Sequence, residues 1–547
     1  MRAGQACLVT ALMLATLPVV AQQAAPPVDA DRISPTAKYS QTDAVRARFP
    51  DIPVTLVAPS FAKAAPALTS QAEMEAFLTD KIAASPRAHV TTIGKSGQGW
   101  ALSLVVLTKE GVKSLDAARA LKRPVVWFIG QQHGNEPAGG EAMLAFAHAL
   151  AQGPLAPMLD RVTVAIVPRA NPDGAAADKR GVANGADLNR DHILLTLEET
   201  QAIHIAMQAL PPDVVFDHHE FSVANRWVEK FGGLQKADAM LLAATNPMIA
   251  PEVKSIANDL IHPRVESALA KFGLVPFVYV TTSFSKSDPI VSTGGTAPGI
   301  ARNAFGLTGA VSYLVETRGV GIALESWQRR VATHYVIAEA VLGAVSDSGG
   351  ALTERLAAGR KSVAASREAL AVSVKLLDAP VPMPFVDPVT GADKQATVTL
   401  RDSRSLTVTT SRQRPFGYLV TDGADDTAER LARNGVIVCR LASALEVDVE
   451  HYRIANPPKQ TNRESINPEQ TVKVEIAQKR GSFAAGTLFL PMSQPAAGIL
   501  TAALEPDSPG SFVGVGLMPI QAGEAPVYRL MQPLARPEAV TCTAPRS

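Results

Sequence analysis

Four short apolar runs organise the middle of the chain: Pro124-Val-Val-Trp-Phe-Ile-Gly130, Arg161-Val-Thr-Val-Ala-Ile-Val-Pro168, Asp213-Val-Val-Phe216 and Ala310-Val-Ser-Tyr-Leu-Val315. They are rich in β-branched residues and lack the apolar–polar alternation of a half-exposed strand, so they read as strands buried on both faces. Between them, apolar residues recur at helical spacing over 140–152, 197–210 and 251–272. Strands alternating with helices predict an α/β domain with a mixed, largely parallel central sheet flanked by helices. Upstream, 70–84 has helical spacing, and 90–93 and 101–107 read as paired strands around the turn Gly94-Lys-Ser-Gly97. A long helical stretch over 323–345 closes the unit.

Beyond Ser346-Asp-Ser-Gly-Gly350 the texture changes. The pattern predicts a helix over 352–377, then the proline-rich Pro380-Val-Pro-Met-Pro384. Short alternating runs follow at 396–400, 406–410, 417–421, 436–441 and 471–476, interrupted by a helix over 425–434. The expected organisation is an α/β domain over 66–346, a helical connector over 347–384 and a smaller β-rich α+β domain over 385–547. Residues 22–65, rich in Ala, Pro and polar residues, read as an N-terminal extension. Residues 1–21 read as a cleavable signal peptide: Arg2, an apolar run from Cys7 to Val20, and small residues before Gln22. The apolar run is short for a membrane span. A secreted or periplasmic protein is therefore expected, with no membrane insertion after leader cleavage.

Composition narrows the partners. The 547 residues are 47% hydrophobic and 19% charged, which excludes disorder as the main character. Lys and Arg number 52 against 51 Asp and Glu, for a net charge of +1. Nothing in that balance points to nucleic acid or an anionic membrane. Loss of the leader removes Cys7 and leaves Cys439 and Cys542, which either pair or stay as buried thiols.

The chemistry lies at strand ends. Of ten histidines, only His133 has a carboxylate three positions on, Glu136, in Gly130-Gln-Gln-His-Gly-Asn-Glu-Pro137. Imidazole and carboxylate suit zinc, and three such ligands leave a position for water. Asp213-Val-Val-Phe-Asp-His-His-Glu220 brings a second strand into Asp-His-His, offering His218 or His219; position 223 is not histidine, so His-Glu-x-x-His is excluded. Glu316 ends a third strand in Tyr313-Leu-Val-Glu-Thr-Arg-Gly319, where burial is costly unless the carboxylate meets a cation, with a salt bridge to Arg318 as the plain alternative. Between these lie Asn171-Pro-Asp-Gly174, a turn on its residues, Arg180, and Gly185-Ala-Asp-Leu-Asn-Arg-Asp191. The guanidinium of Arg190 beside the Asn189 amide suits capture of a carboxylate.

His-Gly-Asn-Glu, Asn-Pro-Asp-Gly, Asp-Leu-Asn-Arg, Asp-x-His and Glu-x-Arg occur in the order found in carboxypeptidase A-like zinc carboxypeptidases, and about residues 65–345 resemble that family. The resemblance implies the zinc carboxypeptidase-like fold and one Zn2+ per chain, held by His133, Glu136 and His219, with His218 the alternative third ligand. It implies Glu316 as general base and acid, Arg180 as the arginine at the scissile carbonyl, and Asn189 and Arg190 as the grip on the terminal carboxylate. The activity it implies is hydrolysis of the C-terminal bond of peptides with a free carboxylate, through a zinc-activated water. The alternatives are an amide hydrolase of N-acyl amino acids or cell-wall peptides, and an inactive peptide-binding homologue. One departure stands out. The loop ahead of the last strand lacks the tyrosine that many members carry there; Tyr279 is near but not in the matching place. The long exported bacterial members with an extra C-terminal domain are the nearest resemblance for the whole chain.

Overall fold

The computed structural model describes residues 38–64, 67–283, 285, 287–456, 472–534 and 540–543. The leader expected over 1–21 lies outside the described residues, as does the extension up to residue 37.

The four apolar runs form adjacent strands. We number the elements that build the catalytic unit as β1 (Ala88–Lys95), β2 (Ala101–Leu107), β3 (Val125–Gly130), α1 (Pro137–Ala151), β4 (Thr163–Val167), α2 (Glu198–Ala209), β5 (Val214–Ser222), β6 (Ala239–Ala243), β7 (Pro276–Val278), α3 (Ala301–Leu307), β8 (Val311–Val320) and α4 (Trp327–Ser348). One eight-stranded sheet runs β1-β2-β4-β3-β5-β8-β6-β7. Its centre, β4-β3-β5-β8, is parallel, while β1-β2, β2-β4 and β8-β6 pair antiparallel. The expected mixed, largely parallel sheet is therefore borne out. The strands are buried along their length because helices cover both faces; α1 and α4 share one face, where Phe146 meets Tyr335 edge-on.

Two local departures have physical causes. The helix expected over 251–272 is continuous but widens into a π turn at Ile256–Ile261. Pro263 follows that turn, lacks an N–H and crowds the carbonyl one turn back, which favours the wider spacing. The second departure is larger. The helix expected over 352–377 ends at Ala365, and Leu370–Val386 is a strand, β9, paired antiparallel with Asp393–Arg412, β10. Alternate residues of β9 direct their N–H groups to the same side. Pro380, Pro382 and Pro384 share one phase, so their missing donors fall on the open side and the pairing with β10 survives.

This ribbon is attached to the catalytic unit. Its Phe385–Val386 end pairs with Leu234–Gln235, and Ile290–Ser292 runs parallel to Thr399–Arg401 of β10. A seven-stranded sheet follows, spanning strands from Gly417–Val420 to Val540–Thr543. In it Cys439 and Cys542 face each other and form a disulfide across 103 residues. A loop of that length makes loss of the bond cost roughly 2–5 kcal/mol.

Behind the cleft, two buried imidazoles meet: His192 Nδ1 lies 3.2 Å from His204 Nε2, and both pack against Phe305. Burial pushes His204 down to about 4 from its usual 6.5. The folded state holds it neutral, while the unfolded chain binds a proton below about 6.5. Stability contributed by this site is thus complete above pH 6.5 and lost as pH falls towards 4. We expect urea midpoints to drop across that window and the drop to shrink in His204→Gln; an identical pH profile in that variant would contradict this.

Candidate metal centre

Local sequence sets the first two donors. β3 ends at Gly130, and the chain turns immediately with Gln131 in the left-handed region at φ 52°. Gln131 is held there by its own side chain, which donates to Gly134 O and accepts from Arg169 Nε. Glu136 leaves the helical region, at φ -123° and ψ 68°, as a residue before proline must avoid the helical conformation, and Pro137 opens α1 at a position needing no N–H. His133 and Glu136 therefore sit on a tight loop between a buried strand and a buried helix. Gly134 has no room for a side chain: a Cβ would lie 1.9 Å from the backbone of Gly174. That approach packs the His-Gly-Asn-Glu loop onto Asn-Pro-Asp-Gly, which is the start of a short helix, Pro172–Ala177, capped by Asn171, rather than a bare turn.

The third donor follows from strand pairing. His218 and His219 point to opposite faces of β5. His218 faces the core, 2.9 Å from His334 and against Phe128. His219 faces the cleft. His133, Glu136 and His219 converge, with ligand atoms all within 4.8 Å of one another. His133 Nδ1 and His219 Nδ1 are 3.0 Å apart, and each is 2.9 Å from a Glu136 oxygen. Donors of a tetrahedral zinc with bonds of about 2.0–2.1 Å are separated by roughly 3.3 Å, so this set suits the ion. The far nitrogens are fixed as well: His219 Nε2 lies 2.7 Å from Asp217 Oδ2, and His133 Nε2 lies 3.1 Å from Asp187 Oδ1. Carboxylates behind imidazoles select the tautomer that presents Nδ1 to a metal. The sequence reading did not single out Asp187; its signal was its place in Asp-Leu-Asn-Arg.

Electrostatics separate the two cleft glutamates. Burial would raise the Glu136 carboxyl, but His133, by charge and hydrogen bond, and then His219 hold it well below the ordinary range. Glu316 sits beside His219 in the β5–β8 register and is 8% exposed. Burial, then the Glu136 charge, push it up to about 8, with His219 and Arg180 opposing. It makes no salt bridge to Arg318, which instead lies over the Phe49 ring and donates to Gln41.

The arginines line the rim. Arg180 donates to Asp187 Oδ2 through Nε and Nη2, and its Nη1 is 3.3 Å from Glu136 Oε1. Its backbone carbonyl accepts from Gly134 N and Asn171 Nδ2, which sets its place above the donors. Asn189 bridges two elements: Oδ1 accepts from Ala301 N of α3, and Nδ2 lies 3.2 Å from His219 Nε2. Arg190 donates to Asn189 O. Tyr279, just past β7, also belongs to the cleft. Burial, then the Glu316 charge, push its phenol up to about 12, and Arg302, Arg180 and Arg190 are its other charged neighbours.

Residues 74–264 match the family model described as Zinc carboxypeptidase. Carboxypeptidase 2 of Trichophyton equinum is 28% identical over 416 residues, covering 74% of this chain and 76% of that protein. Carboxypeptidase E of Caenorhabditis elegans is 32% identical over 143 residues, covering 22% and 29%. Among solved structures, a metallo-carboxypeptidase from Burkholderia cenocepacia is 21% identical, covers 51% of this chain and 70% of its own, and superposes with a TM-score of 0.40.

The carboxylate behind His219 gives a direct test. Asp217→Asn should weaken zinc binding about 10–100-fold, measured by competition with a chelator. Unchanged affinity would mean that Asp217 does not orient the imidazole.

Proposed function

We propose that this chain is a metallocarboxypeptidase of the zinc carboxypeptidase kind, an exported zinc enzyme that removes single residues from peptide C-termini. One observation carries the reading: two imidazole Nδ1 atoms and a carboxylate converge at the carboxyl ends of neighbouring parallel strands, with a second carboxylate alongside. Ligands of such sheets bind at that edge.

His133, Glu136 and His219 hold the ion, one per chain. Zinc there supplies Lewis acidity and lowers the pKa of water towards about 7. Glu316 takes a proton from the attacking water and delivers it to the leaving amine, a role that suits a carboxyl raised towards neutrality. Arg180, half-exposed at the rim, donates to the scissile carbonyl oxygen as charge develops on it. Arg190, with Asn189 beside it, receives the terminal carboxylate and fixes which bond is cut. Export is supported by the leader-like residues 1–21 and by the disulfide, a bond of oxidising compartments. No helix among the described residues is long and apolar enough to cross a membrane.

A panel of N-blocked dipeptides tests the activity: release of the terminal amino acid is expected, and turnover confined to N-acyl amino acids or muropeptides would replace this reading. Glu316→Gln should lower kcat about 10²–10⁴-fold while zinc content stays stoichiometric. Activity retained in that variant would remove Glu316 from its role.

A further inference from the structure

Arg302 is the second residue of α3, directly after Ala301, whose N–H holds Asn189. Its guanidinium lies among cleft groups: its titratable neighbours are Tyr279, Arg190, Glu316 and Asp217. It is 2% exposed. Nη2 donates to Gly295 O at 2.7 Å, and Nε is enclosed with no partner. Among the described residues no carboxylate lies within ion-pair distance of it. Arg318 also lacks a counter-charge, but it is turned away from the cleft, over the Phe49 ring and donating to Gln41. Three further buried arginines are compensated by an ion pair or by hydrogen bonds. Arg329 meets Asp238 at 2.6 Å, Arg330 meets Glu220 at 2.6 Å, and Arg169 donates to Gln131, Gln71 and the Thr69 carbonyl. An enclosed guanidinium without a counter-charge is unfavourable, so its retention at a cleft points to a charge that arrives with the substrate.

The surroundings suit such a charge. Arg190 donates only to Asn189 O and also has no carboxylate partner among the described residues. Gly294, at φ 77°, leaves the corner open: a Cβ there would lie 3.2 Å from Tyr279 Cε1 and 3.3 Å from Arg302 Nη2. Tyr279 adds a phenol O–H to the same corner. Guanidinium groups bind carboxylates in fork geometry, and two of them on one wall match a residue carrying two carboxylates.

We propose that Arg302 is the specificity residue of this enzyme: it receives the side-chain carboxylate of a C-terminal glutamate or aspartate while Arg190 receives the terminal one. This rests on the carboxypeptidase reading above.

The test uses the full-length, zinc-loaded enzyme with N-benzyloxycarbonyl-glycyl substrates ending in Glu, Asp, Gln, Lys or Phe. The Glu substrate should exceed its neutral isostere Gln in kcat/KM by at least about 10-fold. Arg302→Gln should erase that preference, chiefly through KM, with the Gln substrate changed less than about 3-fold; Arg302→Lys should restore part of it. A wild-type preference for Gln, Lys or Phe overturns the proposal. So does a variant that loses activity equally on every substrate, which would make Arg302 a scaffold for the 295 loop. Product inhibition of the wild type decides the matter if variants fold poorly: free glutamate should inhibit more tightly than glutamine, and equal inhibition overturns the proposal. Should no substrate be turned over, the carboxypeptidase reading fails. Equilibrium dialysis of glutamate against glutamine then decides the subsite, selective glutamate binding supporting it and equal binding ending it.

Discussion

The cost of burying the Glu136 carboxylate governs the cleft. It is 3% exposed, so its charge must be met by protein or by a cation. The surrounding groups meet it in several directions: imidazoles at 2.9 Å on each oxygen, the Glu220 N–H at 3.0 Å and the Arg180 guanidinium at the rim. Each of those partners is itself oriented by a carboxylate or a neighbouring strand. Asp217 and Asp187 fix the imidazoles, and Asp187 also holds Arg180. The concentration of negative charge that results is what separates the two glutamates. Glu136 stays ionised because cationic and donor groups surround it; Glu316 is lifted by burial first and then by the charge already on Glu136. One buried carboxylate thus helps to give the cleft two glutamates of different character.

Topology makes that concentration achievable. Parallel neighbours β3, β5 and β8 end at the same edge, so residues far apart in sequence become adjacent without long loops. This part was legible from the chain alone. Apolar runs ending in Gly-Gln-Gln-His, Asp-His-His and Glu-Thr-Arg fix which residues reach the edge. Between His218 and His219 only the resemblance, through Asp-x-His, favours His219; the apolar pattern alone leaves both open, because strand phase depends on which face the sheet turns to the cleft. Pairing with β8 sets that phase, bringing His219 beside Glu316 and sending His218 against His334.

Other features escaped the sequence because they depend on neighbours brought in by the fold. Arg302 sits in an ordinary-looking segment, and Tyr279 stands out in the sequence only as lying outside the matching place; the meeting of β7, α3 and the 294–295 backbone makes both cleft groups. The prolines of β9 read as a break, since proline ends helices; phase alone rescues them, and phase is invisible without the partner strand β10. Over 352–377, helical and alternating patterns succeed one another at Ser366–Leu370, and a single window cannot place the change.

The N-terminal segment shows how far the dependence of the site extends. Its Ala-, Pro- and polar-rich composition reads as an N-terminal extension, and residues 38–60 of it complete the far end of β8 and the start of α4. Lys38 and Tyr39 N–H groups donate to Gly321 O, Gln41 accepts from Arg318, and Phe49 lies under that guanidinium. Pro50 O accepts from Arg329, Gln328 bonds Ile52 at both its N–H and its carbonyl, and Ser60 N donates to Glu141 of α1. Arg318 is two residues beyond Glu316 on the same strand and face. With Gln41 and Phe49 occupying it, Arg318 stays turned away from the glutamate and cannot neutralise it by the short-range pairing that its spacing would otherwise invite. The raised, unpaired state of Glu316 is therefore maintained in part by residues some 270 positions upstream, and a segment without any catalytic group becomes a determinant of the charge state of the cleft.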